Sequence, residues 1–358
     1  MAGPPFSFRV VEGGFRPGRN DISWKEDDPM ARAWTLVSRP EGTPDATHFA
    51  LTDIDLPALD AGMIRVRNLW LSVDPYMRGR MNDVKSYVPP FAIGAPLQGG
   101  AVGEIVESRA DGFAVGDRVV HMAGWRDEAV LPADGVQKIP AGDIPEQHYL
   151  GALGMPGMTA WFGLLAVAEA KPGETVFVSA AAGAVGSTVV QIAKAKGMTV
   201  IGSAGGAEKV ALVRELGADA AIDYKADGSL VKALQAAAPD GIDVYFDNVG
   251  GKHLDAALAC ARDRARFANC GMIDGYNGGE PVQLRYLMRI VAARIRLQGF
   301  IVSDFQSRIA EFHEGMGALM QAGKVKSRET VKDGLEATPD AFLALFSGGN
   351  VGKMLVRL

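Results

Sequence analysis

The stretch from Val176 to Lys194 constrains this chain most, because it reads in order as a buried strand, a glycine turn and an amphipathic helix. Val176 to Ser179 is apolar and β-prone, and Val185, Val189, Ile192 and Ala193 then recur with helical period. Between them, Ala181-x-Gly183-x-x-Gly186 has the spacing G-x-G-x-x-G with alanine in its first place. A glycine at 183 lets the backbone approach a pyrophosphate, and a glycine at 186 lets the helix pack closely on the strand. The phosphate charge would then lie at the helix N-terminus. The competing reading is a glycine-bearing loop in an ordinary α/β unit.

The next strand bears on which nicotinamide cofactor fits. Thr199-Val-Ile-Gly-Ser203 ends where an acidic residue would hold the ribose 2′-hydroxyl of NAD, and no carboxylate stands there. The run Ser203-Ala-Gly-Gly-Ala-Glu-Lys209 supplies instead a hydroxyl at Ser203, a glycine turn and a lysine one turn into a helix. A compact ammonium suits a 2′-phosphate, although Lys209 equally suits a solvated helix face. NADPH is therefore expected over NADH.

Composition narrows the class further. A chain of 358 residues, 48% hydrophobic and 22% charged, can build two domains with cores of their own. Its net charge of −5 provides no basic field for nucleic acid or an anionic membrane. With only Cys260 and Cys270 there is neither a disulfide framework nor a cysteine-rich zinc lobe, so a reducing, cytoplasmic compartment is expected. The uncharged window Tyr149 to Ala168 is broken by Gly151, Gly154, Pro156, Gly157 and Gly163, which favours a buried crossover helix over a membrane span. Residues 1–30 carry Arg9, Glu12, Arg16 and Arg19 without a continuous apolar core and read as an extension, not a signal peptide.

From about Trp34 to Pro140 the pattern is short alternating strands such as Ile64 to Trp70, Val102 to Val106 and Arg118 to His121. After Lys171-Pro-Gly173 six strands alternate with helices: Thr175 to Ser179, Thr199 to Ser203, Ala220 to Asp223, Val244 to Asp247, Ala265 to Asn269 and Arg296 to Phe300. That alternation predicts an α/β fold with a Rossmann-type, doubly wound parallel sheet beside a mainly antiparallel β domain. Past Gly323 the chain reads as short strands again, and Gly352 to Leu358 is expected to rejoin the first domain. The expected divisions are an extension over 1–30, a substrate and catalytic domain over 31–153, a nucleotide-binding domain over 154–323 and a returning segment over 324–358.

Several motifs in order resemble one branch of the medium-chain dehydrogenase/reductase superfamily, that of leukotriene hydroxydehydrogenase, prostaglandin reductase and curcumin reductase. They are Ser72-Val-Asp-Pro-Tyr-Met-Arg-Gly-Arg-Met81, Gly154-Met-Pro-Gly-Met-Thr-Ala160, Ala181 to Gly186, Gly206-Ala-Glu-Lys209, Phe246-Asp-Asn-Val-Gly-Gly251, Cys270-Gly-Met-Ile-Asp-Gly-Tyr-Asn277 and Gln298-Gly-Phe-Ile-Val302. The resemblance implies a GroES-like catalytic domain, NADPH as cofactor, zinc independence and reduction of activated carbon-carbon double bonds. It gives Gly183, Ala184, Val185 and Gly186 to the pyrophosphate, Lys209 to the 2′-phosphate and Tyr224 to the adenosine ribose phosphate. Asn248, Asn350 and Gly352 become cofactor contacts, Met155 and Thr159 face the nicotinamide, and Phe300, Ile301 and Val302 serve the carboxamide. One departure concerns the loop before Tyr276, where Asp274 and Gly275 replace a pattern that often has serine.

The positions that hold zinc in related alcohol dehydrogenases read here as Ser72, Gln98 and Gly99, so no metal site is expected. The five histidines, His48, His121, His148, His253 and His313, show no ligand spacing. Without zinc, charge built on a substrate carbonyl oxygen needs hydrogen-bond donors, for which the resemblance offers Tyr276, also a cofactor contact that works with the nicotinamide ribose hydroxyl, with Tyr76 and Tyr87 as pocket residues. An isolated tyrosine is otherwise a half-buried core ring. The expected partner is a small apolar enone or enal, with a second copy of the chain paired through the strand near Arg296. Rival readings are a zinc-free NADPH quinone reductase and a non-catalytic NADPH-binding protein.

Overall fold

The computed structural model describes residues 30–278 and 280–358, so the expected extension lies outside the described residues except for Met30, which opens a strand. Strands β1 (Met30–Leu36) and β2 (Phe49–Asp55) form an antiparallel ribbon. Strand β3 (Met63–Ser72) leads through the short helix α1 (Met77–Arg80) to β4 (Ala101–Ser108), β5 (Arg118–His121), β6 (Glu128–Pro132) and β7 (Gln137–Lys138). Ile64, Val66, Ile105 and Val119 are fully buried from alternate positions of these strands, as a sheet with one buried face requires.

The uncharged window resolves into a 3-10 turn at Glu146–Leu150, helix α2 (Met155–Phe162) and a π-turn at Gly163–Val167. Nearly all of α2 is buried, and Gly163 admits the rings of Phe246 and Phe300 at distances where a Cβ would collide. No helix among the described residues is long and apolar enough to cross a membrane.

A parallel sheet follows: β8 (Thr175–Val178), helix α3 (Ala184–Ala195), β9 (Thr199–Ala204), α4 (Ala207–Glu215), β10 (Ala220–Asp223), α5 (Leu230–Ala237), β11 (Ile242–Asp247), α6 (Gly251–Cys260), β12 (Ala261–Asn269), α7 (Arg289–Ala292), β13 (Arg296–Gly299) and α8 (Ile309–Gln321). Its order is β10-β9-β8-β11-β12-β13, all parallel, so the order in which strands are added reverses between β8 and β11. Alternate residues feed two cores. Val176, Val178, Val200 and Phe246 face one layer, and Phe177, Ile201, Tyr245 and Phe267 face the other. Strands buried on both sides read as the continuous apolar runs seen in the sequence.

Strand β14 (Glu329–Asp333), helix α9 (Thr338–Ser347) and β15 (Lys353–Arg357) complete the fold. β15 lies between β14, to which it runs parallel, and β3, to which it runs antiparallel with Leu355 opposite Ser72, so the mainly antiparallel sheet is mixed at this edge. Helix α9 was not expected. It buries Ala341 and Phe342 against Leu71, Val73 and Trp125, and so caps the core of the β unit.

Candidate active site

The reversal between β8 and β11 opens a crevice beyond the carboxyl ends of the strands, where ligands bind in such sheets. One continuous cavity of about 890 Å³ starts there and runs into the antiparallel unit. At its centre the chain leaves β8 through Ala180, whose φ is +48°, and starts α3 at Gly183. A Cβ on Gly186 would lie 2.3 Å from the Ala180 carbonyl oxygen, so only glycine lets α3 start this close to the strand. Gly183, Ala184, Val185 and Gly186 all line the cavity.

Asp247 ties the strand ends together. It accepts from the Tyr245 hydroxyl at 2.7 Å, the Gly250 amide at 2.8 Å and Asn269 Nδ2 at 3.0 Å. Asn248 follows it into the cavity and is pinned to β8, its Nδ2 donating to the Ser179 carbonyl at 2.7 Å. The tail closes the other side: the Gly352 amide donates to the Ala182 carbonyl at 2.8 Å, and Asn350 Nδ2 donates to the Gly352 carbonyl at 2.8 Å.

One end of the cavity is cationic. Burial lowers the proton affinity of Lys209 there, and the positive charge of Lys225 beside it acts in the same direction. Lys209 Nζ donates to the Gly348 carbonyl at the C-terminus of α9, at 2.7 Å. Tyr224 and Lys225 fold over Gly205, where a Cβ would lie 2.9 Å from both side chains. A neutral hydroxyl, two ammonium groups and open backbone at one end of a cavity have the chemistry to receive an anionic group. Ser203 does not line the cavity. β9 runs one residue further than the sequence suggested, so Ser203 stays wholly buried on the sheet, its hydroxyl without a partner among the described residues, and Ala204 and Gly205 reach the cavity instead.

At the other end stand Met155, Thr159, Phe300, Ile301 and Val302, with Thr159 Oγ1 donating to the Met155 carbonyl at 2.8 Å. Tyr76, Tyr87 and Tyr276 line the same space, with Tyr87 at the mouth and 56% exposed. Burial pushes the Tyr276 phenol up to about 12 and the Cys270 thiol to about 12, and the Tyr76 phenol higher still. These groups therefore keep their protons at physiological pH, and the phenols act as neutral donors. The Tyr276 hydroxyl fits against Gly271, where a Cβ would lie 2.9 Å away.

Sequence reasoning missed Lys225, the contribution of α9 through Phe346 and Gly348, and the side chains that fix the Tyr276 loop. The signal for α9 was present: Pro339 and Asp340 in a first turn and Gly348 as a left-handed stop, with φ of +72°.

A glycine turn at the reversal of a doubly wound sheet, a paired lysine cradle and protonated phenols in one cavity define a nicotinamide dinucleotide oxidoreductase. Residues 32–139 match the family model described as the N-terminal domain of oxidoreductase, and residues 184–321 match that described as zinc-binding dehydrogenase. The chain is 44% identical over 336 residues to the NADPH-dependent curcumin reductase of Escherichia coli, covering 91% of this chain and 96% of that protein. It is 46% identical over 296 residues to the NADP-dependent 2-alkenal reductase of Nicotiana tabacum, covering 82% and 86%. The crystal structure of CurA from Vibrio vulnificus in complex with NADPH superposes with a TM-score of 0.85 at 42% identity, covering 91% of this chain and 98% of that one. The chain belongs to the medium-chain dehydrogenase/reductase superfamily, in the branch of the curcumin, alkenal and prostaglandin reductases.

The zinc in the second family model's description does not fit these residues. Ser72 donates to Asp74, whose other oxygen takes Lys353 Nζ at 3.0 Å, and Gln98 Oε1 accepts from Arg80 at 2.9 Å. A buried lysine occupies the carboxylate that a metal would need.

Proposed function

We propose that this chain reduces the carbon-carbon double bond of α,β-unsaturated ketones and aldehydes with NADPH, independently of zinc. The observation that carries the reading is that Tyr276 lines the same cavity as Lys209, Tyr224 and Lys225, a pairing that suits a phosphate-bearing cofactor beside a neutral hydrogen-bond donor. The residues fit the cofactor: Gly183 to Gly186 would hold the pyrophosphate, Lys209, Tyr224 and Lys225 the 2′-phosphate, and Asn248, Asn350 and Gly352 the central ribose and phosphates. Met155, Thr159 and the backbone of Phe300 to Val302 would orient the nicotinamide. When bound there, NADPH supplies the hydride.

As the β-carbon of the substrate becomes saturated, negative charge gathers on the carbonyl oxygen. Tyr276 donates a hydrogen bond to that oxygen, and Tyr76 and Tyr87 shape the apolar space around it. The α-carbon then takes its proton from solvent. The carbonyl survives because no Lewis acid polarises it for direct attack.

Turnover is measured by NADPH absorbance with an enone and with a quinone, with product analysis. The expected result is a saturated ketone, and a Tyr276→Phe variant slowed by roughly tenfold to a thousandfold in kcat with unchanged NADPH affinity. An allylic alcohol product, or faster turnover of the quinone, would overturn the reading.

The same reading extends to assembly and compartment. The edge strand β13 is exposed along all four residues, and Met288 and Val291 beside it are 75% and 72% exposed. An open strand edge flanked by apolar side chains suits pairing with a second copy into a homodimer. Two free thiols and reliance on NADPH suit the cytoplasm.

A further inference from the structure

Arg78 is 3% exposed, and all four of its hydrogen bonds among the described residues go to neutral acceptors. Its Nε donates to Asn277 Oδ1 at 3.1 Å, and one terminal nitrogen donates to Asn82 Oδ1 at 2.7 Å. The other donates to the Gly42 carbonyl at 2.7 Å and the Pro40 carbonyl at 3.4 Å. Burying a guanidinium without a carboxylate is costly, and burial does lower its proton affinity. Packing alone would be served more cheaply by an apolar side chain of similar length.

The acceptor at Nε indicates what the charge does. Asn277 immediately follows Tyr276, and Arg78 stands two residues after Tyr76, so a single side chain joins the segments that carry both tyrosines. The Tyr276 loop is tied to its own unit only at its start, where the Cys270 and Gly271 amides donate to the Asp247 carbonyl at 2.9 and 3.1 Å and the Ile273 and Asp274 amides to the Asn248 and Val249 carbonyls at 3.4 and 3.2 Å; past Asp274 the Arg78 bond to Asn277 is its cross-link to the other unit. Met272, Asp274 and Gly275 within it are exposed. The Arg78 bond crosses from the antiparallel unit to the parallel one, over 199 residues of sequence. The planar fork of arginine fixes direction as well as distance, which a lysine in its place would not.

We propose that Arg78 is a positioning residue for the reduction: by holding Asn277 it sets the Tyr276 hydroxyl over the substrate carbonyl and closes the two units on each other at that end of the cavity. The inference rests on the role assigned to Tyr276 above. It does not require Arg78 or Asn277 to touch substrate.

The test is a set of full-length variants, Arg78→Lys, Asn277→Ala and their double, each made with Tyr276 and with Tyr276→Phe. They are assayed for kcat on trans-4-phenyl-3-buten-2-one and for NADPH affinity. With Tyr276 present, each single change should lower kcat about tenfold, and the double change should cost no more than about twofold beyond that. NADPH affinity should stay within about twofold throughout, since the cradle for its phosphates lies at the far end of the cavity. In the Tyr276→Phe protein the same changes should alter kcat by less than about twofold, because the hydroxyl they position is gone.

Losses that repeat in full in the Tyr276→Phe protein would overturn the inference, as would an Asn277→Ala effect without a matching Arg78→Lys effect. If Arg78→Lys fails to fold, the two Asn277→Ala measurements decide alone. A Tyr276→Phe protein with unchanged kcat would instead remove the underlying reading, and a slow Tyr276→Phe protein with a fast Asn277→Ala protein would remove this inference only.

Discussion

At the scale of single residues, Lys209 carries two attachments with different consequences. Its ammonium already bonds the Gly348 carbonyl, and Lys225 beside it repels a second positive charge. An anion between the two lysines relieves that repulsion, which is how such a site selects a cofactor with an extra phosphate. Replacing Lys209 by alanine should therefore weaken NADPH by on the order of 1 to 3 kcal/mol and leave NADH nearly unchanged, as read by fluorescence titration. Equal losses for both cofactors would refute the assignment. Lys225→Ala should shift the same preference in the same direction. Lys209, expected from its place one turn into the helix after β9, and Tyr224, expected from the resemblance, both line the cavity. Ser203 was misread because the offset depends on where the strand stops, and β9 stops one residue late. Asn277 and Arg78 were illegible as a pair, since nothing local marks a contact across 199 positions.

Among the elements, the start of α3 is the least tolerant of change. A methyl group on Gly186 would meet the Ala180 carbonyl oxygen at 2.3 Å, so Gly186→Ala has to push the helix off β8. The expected outcome is a lower melting temperature together with loss of NADPH binding, by more than about 3 kcal/mol taken together, because the same displacement moves the amides that face the pyrophosphate. A variant that melts lower yet binds NADPH normally would show that the cradle does not depend on this packing. Strands β8 to β11 were read to within two residues, helped by the apolar runs that burial writes, whereas β12 starts at Ala261, four residues before the expected Ala265, because Arg262, Asp263 and Arg264 interrupt its pattern. Helix α9 was missed because its apolar residues, Ala341, Phe342, Leu345 and Phe346, cluster in a short segment between glycines that resembles strand and turn. Its identity comes from the core it caps. β13 carries its prediction at this scale too: sedimentation should find a dimer, and charged replacements at Leu297 and Val291 should produce monomers.

For the whole molecule, buried imidazoles contribute to acid sensitivity, and His121 and His253 are the two held furthest below their ordinary value among the described residues. His121 is fully buried, its Nδ1 accepts from the Ala123 amide at 3.2 Å, and burial holds its pKa down to about 3. His253, against Tyr224, is held down to about 4. Both folded values lie below the ordinary 6.5, so the unfolded chain binds more protons over that interval. The stability present above pH 6.5 is thus lost as pH falls toward 4 and then 3, each imidazole costing about 1.4 kcal/mol for every pH unit between its ordinary and its folded value. Melting temperatures recorded between pH 8 and 4 should show this slope, and His121→Asn, which keeps an acceptor for the Ala123 amide, should flatten it. An unchanged slope would assign the loss to other groups.

The place of β15 also sets a timetable for synthesis. β3 emerges early from the ribosome, but the neighbour that pairs with Leu71 and Ser72 arrives only with Val356 and Leu355. The parallel sheet is contiguous in sequence and can condense while translation continues, whereas the sheet of the β unit keeps an open edge on β3 until β15 has been made. Loss of the segment from Gly348 to β15 would therefore strip the cavity of Asn350 and Gly352 and at the same time expose the edge of β3 to aggregation and to chaperones.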